Sequence, residues 1–243
     1  TDIEVFALYN LAEYYMYDKN NIQRALEILE EAAAKMDKTV SDKNKGNVHK
    51  VFGTAYLSKG KYEQAKSHFE QALYHFEQVG LAPEVDPQLG RPSADWIDGG
   101  VLNKIQVLIY LSRVNTELGG FQEAILYVQQ ALDLCEKIYT PDLEAWANEE
   151  MARVQRLLGN YETTIQHLKV ALQMYEQTDA QRYQSDTYKA VGYTHAELED
   201  WAQAQKSFER ALAIDRKIND TLAMELDYLW IGDALRQQEQ EEE

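Results

Sequence analysis

Helix breakers, cysteine and positive charge are all scarce in this chain of 243 residues. It contains 4 Pro and 12 Gly, and so few breakers favour an all-helical structure. Its one cysteine, Cys135, excludes an internal disulfide framework and any cysteine-based zinc or iron–sulfur site. A single cysteine also fits a reducing compartment, so we expect a cytoplasmic location.

The scarcity of positive charge excludes several classes of partner. There are 24 Lys and Arg against 41 Asp and Glu, a net charge of −17. Such a chain is a poor binder of nucleic acid by itself, because phosphate contacts need Lys and Arg, and equally poor at anionic membrane surfaces. No run of about 18 apolar residues is present, so no membrane insertion is expected. The chain begins Thr1-Asp2 without Met or signal peptide, which suggests part of a larger protein.

What the chain does contain is an internal repeat. Four segments align without gaps and open on an aromatic residue: Tyr62, Phe121, Tyr161 and Trp201. A weaker fifth copy opens at Ile22, so the starts are spaced by 40, 59, 40 and 40 residues, and one interval holds 19 extra residues. In each copy a small residue follows three positions later, a bulky residue four after that, and Ala three further on. This spacing places all four on one face of a helix.

A second helical pattern precedes each copy, so the unit is a pair of helices. Turn residues such as Gly159-Asn160 separate the two helices. Nine residues before the opening aromatic residue stands a small residue, namely Gly53, Ser112, Ala152 and Gly192. Small residues let two helices approach closely. Because such a pair buries its apolar face only against neighbouring pairs, the pattern predicts a stacked solenoid.

The run from Val51 to Leu73 resembles a tetratricopeptide repeat, in particular at Phe52-Gly53, Gly60, Tyr62, Ala65, Phe69 and Ala72-Leu73. The spacing of 40 instead of the usual 34 is similar to the long-helix branch of kinesin light chains, cell-polarity adaptors and bacterial regulators. The resemblance covers almost the whole chain. It implies an all-α, right-handed superhelical solenoid of antiparallel helix pairs, with five repeats and a C-terminal capping helix. HEAT-type repeats also run near 40 residues, but they lack this Gly and Ala signature. The first repeat departs most, since Glu13 replaces the small residue.

On this pattern residues 1–243 form a single domain. The predicted repeats are 1–40, 41–79, 101–140, 141–180 and 181–220, followed by a capping helix and acidic tail over 221–243. Residues 80–100 form a Pro-rich insert whose Pro83, Pro87 and Pro92 exclude a continuous helix. The insert is either a tolerated surface insertion or a functional loop. Trp96 favours a contact, because an indole in a loop needs a pocket on this chain or on a partner.

Catalytic motifs are absent from the sequence: there is no phosphate-binding glycine loop, His-Glu-x-x-His or nucleophile elbow. The five histidines are scattered, and His68 and His167 occupy one slot two repeats apart, too far to share a metal. We expect a structural role for all five. Cys135 is expected to be a half-buried apolar filler, with no His placed to activate it. We predict no enzyme activity, no metal and no cofactor.

The family resemblance implies that the first helix of each pair lines a concave groove. The repeat register assigns these residues to it as partner contacts: Tyr14, Tyr17, Lys50, Thr54, Ile109, Arg113, Trp146, Arg153, Arg156, Lys189, Tyr193 and Arg236. The whole face carries six positive and three negative residues, an excess of three in an acidic chain. Arg and aromatic residues dominate binding hot spots, and Arg binds carboxylates bidentately. We expect a bound segment with acidic residues and an apolar anchor. In the alternative, these cations pair with local Asp and Glu.

The carboxylate clamp of tetratricopeptide co-chaperones does not match this sequence. Lys50 is present, but Thr54, Tyr110, Trp146 and Glu150 stand where the clamp has two Asn, a Lys and an Arg. The function expected is therefore a non-catalytic scaffold for another protein or peptide. The alternative is a sensory or regulatory domain of a larger signalling protein, controlling an attached ATPase, protease-like or transcription-regulating effector.

Overall fold

The computed structural model describes residues 1–79, 85–86, 91–92 and 99–242. The helices over these residues are α1 Asp2–Tyr17, α2 Ile22–Ala34, α3 Asp42–Ser58, α4 Tyr62–Gln78, α5 Gly99–Glu117, α6 Phe121–Ile138, α7 Pro141–Leu157, α8 Tyr161–Gln177, α9 Gln181–Glu197, α10 Trp201–Ile218 and α11 Thr221–Glu242. In the insert, β1 (Val85–Asp86) pairs antiparallel with β2 (Arg91–Pro92). The predicted contact at Trp96 lies outside the described residues.

The second helix of every pair begins where the repeat predicts. Helices α2, α4, α6, α8 and α10 start at the five opening residues from Ile22 to Trp201. Two residues before each start, the backbone turns through a left-handed conformation with φ between 48° and 80°, at Asn20, Gly60, Gly119, Gly159 and Glu199. This turn ends one helix and aims the next back along it. The prediction of an all-α fold of five helix pairs and a final helix is confirmed.

The helices fall into two compact units, Thr1–Tyr139 and Thr140–Glu243. In the first unit, each of α1 to α5 packs against its successor, and α1 and α3 both contact the first helix of the following pair. Val5, Leu29 and Phe69 lie in its core. In the second unit, α7 to α11 also pack in succession, around residues such as Leu168. Cys135 is fully buried in the first unit, more deeply than the expected half-buried position.

The small residue of the first helix lies under the bulky residue of the second. A methyl group added at Gly53 would lie 2.5 Å from the Phe69 ring, and one added at Gly192 would lie 2.5 Å from Phe208. Contacts this short cannot be accommodated without moving the ring. In the fourth repeat the ring is replaced by Leu168, and the small residue is Ala152, which packs in the same cluster. The pairs are therefore matched in size, Gly with Phe and Ala with Leu.

We expect Gly192→Ala to lower the free energy of unfolding by about 1–3 kcal/mol, because the new methyl group overlaps Phe208. Adding Phe208→Leu should recover most of this loss, since the double variant reproduces the Ala152–Leu168 pair. Urea denaturation of the wild type, the two single variants and the double variant gives the coupling energy of the double-mutant cycle. Strictly additive effects would contradict this explanation of the close approach.

Candidate functional site

A polar cleft lies on the first helices of the first unit. Its volume is about 240 Å³, and its lining residues are Glu13 and Tyr17 of α1, Lys50 and Thr54 of α3, and Gln106 and Tyr110 of α5. We call it the α1–α3–α5 cleft. The repeat register predicts four of its six residues on the groove face, namely Gln106 and the three predicted partner contacts Tyr17, Lys50 and Thr54. The cleft exists because α1 lies beside α3, and α3 lies beside α5.

Lys50 is the cation of this cleft. Its Nζ donates hydrogen bonds to Asn103 Oδ1 at 2.7 Å and to Gln106 Oε1 at 3.2 Å, and lies 3.8 Å from Glu13 Oε1. The Lys50 side chain is 14% exposed. Burial lowers the pKa of Lys50, and Glu13 acts in the opposite direction. The nearest partners of this ammonium are thus neutral amides, and the one carboxylate lies further away.

Aromatic residues form another part of the cleft. Tyr17 is 65% exposed, and Tyr110 is stacked on Phe69 with ring centroids 5.0 Å apart. Burial raises the pKa of Tyr110 above its usual range, Tyr17 acts in the same direction, and Arg113 lowers it. Arg113, half-buried, is therefore close enough to affect the Tyr110 hydroxyl. This end of the cleft combines an exposed ring with a nearby guanidinium.

Two residues of the α1–α3–α5 cleft were not assigned to the groove from the sequence. Glu13 was noted as a departure from the small-residue slot, and Tyr110 as a mismatch to the carboxylate clamp. The sequence does contain a signal for Glu13, because this charged residue stands at a position where the other repeats have Gly, Ser or Ala. It indicates that the first repeat uses this position for something other than close helix packing.

In the second unit, the assigned arginines are paired with acids. Arg153 donates through Nη2 to Glu150 Oε1 at 2.7 Å, and the Glu150 side chain is fully buried. Arg156 Nη1 lies 3.5 Å from Glu197 Oε1. Arg236 pairs with Asp233 on α11. These contacts match the alternative in which the cations pair with local acids.

Lys189 lies among three acids, of which Asp215 and Asp227 are buried and Asp186 is exposed. Its Nζ is 2.8 Å from Asp215 Oδ2, 3.5 Å from Asp186 Oδ1 and 3.9 Å from Asp227 Oδ1, and its side chain is 10% exposed. Although burial acts to lower it, the hydrogen bond to Asp215 and the charge of Asp227 raise the pKa of Lys189. Burial raises the pKa of Asp227 to about 7, Asp215 acts in the same direction, and Lys189 opposes both. Lys189 therefore compensates buried acids rather than offering a free charge.

Several assigned residues contribute packing instead of open surface. Ile109 is fully buried, so it offers no side-chain surface for a partner contact, and Thr54 is mostly buried although it lines the α1–α3–α5 cleft. Ile109 was assigned from its register alone, and its apolar side chain lies in the core. Tyr193 is half-exposed, with its ring 4.9 Å from that of Trp230. Trp146 is half-buried on α7.

The expected excess of positive charge is not found around these helices. The register counted Glu149, Asp186 and Asp233 but not the acids that lie against the cations, namely Glu13, Glu150, Glu197, Asp215 and Asp227. These five acids outweigh the excess of three. The register count left these acids out because Glu150 lies beside Arg153 on the same helix outside the counted positions, and the other four lie on neighbouring helices.

Comparisons with known proteins agree on the fold. A family model described as tetratricopeptide repeat matches residues 4–78 and 142–217, which together are more than half of the chain. No helix among the described residues is long and apolar enough to cross a bilayer. A comparison with curated proteins gave no match.

Three solved structures illustrate the likeness. Aspartyl phosphate phosphatase F from Bacillus subtilis is 14% identical with a TM-score of 0.76, over 98% of this chain and 57% of that one. A Rap protein complexed with competence and sporulation factor is 14% identical with a TM-score of 0.75, over 99% of this chain and 65% of that one. Repeats of a putative kinesin light chain from Podosopora anserina are 18% identical with a TM-score of 0.65, over 89% and 97%. This chain thus spans less than two thirds of the first two.

The buried cluster generates a pH prediction. Because folding raises the pKa of Asp227 from its ordinary 3.8 to about 7, the folded protein holds this proton more tightly than the unfolded chain. This contribution to stability is present below about pH 4 and is lost as the pH rises through about 7. We expect Asp227→Asn to raise the free energy of unfolding by about 1–3 kcal/mol at pH 7.5, and by much less at pH 4.5.

Urea denaturation between these pH values, followed by circular dichroism, measures the effect. The control is Asp233→Asn on the same helix, whose carboxylate is half-exposed beside Arg236. It should leave the pH dependence of stability as in the wild type. If Asp227→Asn also leaves it unchanged, Asp227 does not hold a proton in the folded state.

Proposed function

We propose that this chain, which belongs to the tetratricopeptide repeat family, is a non-catalytic scaffold that binds a protein or peptide segment. The bound segment lies along the polar faces of α1, α3 and α5. The α1–α3–α5 cleft is the observation that carries this proposal, because it is an open, polar pocket built from three successive first helices. Its cytoplasmic location stays a prediction from the sequence.

The chemistry of the α1–α3–α5 cleft favours an acidic side chain in the bound segment. The Lys50 ammonium has two amide oxygens as its nearest partners, and Glu13 is 3.8 Å away. An incoming carboxylate would give the Lys50 ammonium, whose side chain is only 14% exposed, a charged acceptor, and charge-assisted hydrogen bonds are stronger than those to neutral amides.

The exposed aromatic residues of α1 favour an apolar anchor beside that carboxylate. Tyr17 is one wall of the cleft, and Tyr14 lies on the same helix, 43% exposed. Tyrosine presents a large rigid contact area that loses little conformational entropy on binding. The proposed segment therefore carries Asp or Glu and, a few residues away, one large apolar side chain.

The assigned residues of the second unit enter this proposal with a smaller role. Arg153 and Lys189 already compensate buried acids, so we propose that they position α7 and α9 rather than bind a ligand. Tyr193, Trp146, Arg156 and Arg236 keep the role proposed from the sequence, as accessible contacts on these helices.

A regulatory domain of a larger signalling protein is the second candidate. Two structural neighbours are chains of which this one spans 57% and 65%, and one of them is complexed with competence and sporulation factor. A domain of that kind would receive a ligand on its repeats and pass the signal to an attached effector. The phosphatase name of one neighbour belongs to that protein, and we propose no catalysis here.

A peptide-display selection on the purified chain tests the binding proposal. We expect the selected peptides to be enriched in Asp or Glu together with one large apolar residue. Lys50→Gln should weaken their binding about tenfold, which corresponds to the loss of one charged hydrogen bond. Fluorescence polarisation with labelled peptides measures the affinities. Arg153→Glu is unsuitable as a test, because it would place a second carboxylate beside buried Glu150.

The matched control is Lys35→Gln, which makes the same change of charge at the end of α2, away from the cleft. It should change the affinity less than about twofold, the part that long-range electrostatics contributes. Selected peptides that are basic, or that bind Lys50→Gln as tightly as the wild type, would remove the cleft from the function.

A further inference from the structure

Three histidines that are well separated in the sequence lie together in the second repeat. His49 is on α3, and His68 and His75 are on the facing side of α4, all half-buried. The Nδ1 atoms of His49 and His68 are 3.1 Å apart. Neither residue lines the α1–α3–α5 cleft.

The two Nδ1 atoms point at each other across a distance that allows one proton between them. One nitrogen donates and the other accepts, so at least one lone pair is directed into the gap. If each ring carries its proton on Nε2, both lone pairs meet there. Both nitrogens can ligate one ion if their lone pairs turn to the same side of the line that joins them.

Neighbouring rings hold this geometry. Phe52 stacks on His68 with centroids 4.6 Å apart and planes 16° apart, and His75 stacks on His49 at 5.8 Å and 6°. His75 Nδ1 is in turn 2.8 Å from Asp42 Oδ1. Supporting contacts of this kind fix the orientation of imidazole ligands. Burial lowers the pKa of His49 to about 4, so its ring is neutral near pH 7, the form that coordinates metals.

We propose that the Nδ1 atoms of His49 and His68 chelate one divalent transition-metal ion of the borderline class, such as Cu²⁺, Ni²⁺ or Zn²⁺. With metal–nitrogen bonds of about 2.0–2.1 Å, nitrogens at this separation subtend about 100° at the ion, between square-planar and tetrahedral values. The proton of the donor ring moves to its own Nε2, so binding releases no net proton from two neutral rings.

The site would be open. Within the described residues, no group of three or more His, Cys, Asp or Glu side chains is placed to hold a metal. The two imidazoles therefore supply two ligands, and water fills the other positions. Affinity should follow the order of intrinsic strength for nitrogen ligands, with Cu²⁺ bound more tightly than Ni²⁺ or Zn²⁺.

The fourth repeat provides a matched comparison. His167 occupies the slot of His68, and Asn148 occupies the slot of His49. There His167 Nδ1 lies 2.9 Å from Asn148 Oδ1. His49→Asn therefore copies a pair that this protein already accommodates, and it removes one metal ligand without leaving its partner unbonded.

Isothermal titration calorimetry with Cu²⁺, Ni²⁺ and Zn²⁺ on the full chain tests the proposal. We expect one metal site in the wild type. His49→Asn and His68→Asn should each lower the metal affinity more than about tenfold, because changing a residue that only supports a metal ligand already costs that much. His167→Asn, the matched control, should bind as the wild type does.

A second measurement does not depend on the variants. On adding Zn²⁺ to histidine-labelled wild type, nitrogen NMR should shift the Nδ1 signals of two histidines only, assigned to His49 and His68. Unchanged affinity in His49→Asn would overturn the proposal. So would an equal loss in His167→Asn, or zinc-dependent shifts confined to other histidines.

Discussion

In the second, fourth and fifth repeats, the packing of the helix pair depends on how closely its two helices approach at one point. A bulky side chain of the second helix lies directly over a small residue of the first, as Phe69 lies over Gly53 and Phe208 over Gly192. Core packing is sensitive to a single methyl group, so this contact fixes the rotation of both helices. It thereby also fixes which residues of the first helix remain for polar contacts. Lys50, three residues before Gly53, reaches the α1–α3–α5 cleft for this reason.

In this acidic chain, some lysine and arginine side chains pair with buried carboxylates of the chain itself and do not contribute charge to a binding surface. Arg153 compensates a fully buried Glu150, and Lys189 compensates Asp215 and Asp227, which come from two other helices. Leaving a buried carboxylate unpaired costs several kcal/mol, so these cations are committed to the fold. Lys50 differs because amide oxygens are its nearest partners. The difference between a structural and a binding cation lies in its neighbours.

The sequence predicts the features that the repeat period determines, and few of those that depend on contacts between neighbouring helices. The starts of α2, α4, α6, α8 and α10 are set by the period, because the opening residue and the turn before it recur. The Arg153–Glu150 pair was also readable, since residues three apart share a helix face. Contacts of Lys189 with Asp215 and Asp227 were not, because they depend on how successive helices stack. The repeat register also predicts the same exposure for equivalent positions in all repeats. Lys189 and Leu229 are equivalent positions 40 residues apart, yet the Lys189 side chain is 10% exposed and Leu229, on the final helix, is 67% exposed.

The repeats also separate what the fold requires from what it tolerates. In the second, fourth and fifth repeats, the small residue under the bulky one varies in step with its partner, because the two share one volume. The slot pair occupied by His49 and His68 obeys no such rule, since it holds Leu108 with Tyr127, Asn148 with His167, and Tyr188 with Ser207 in later repeats. A position that accepts apolar, amide and hydroxyl pairs is not specified by packing. Its chemistry in the second repeat is therefore free to serve binding, and so is that of Glu13, which occupies a small-residue slot in the first.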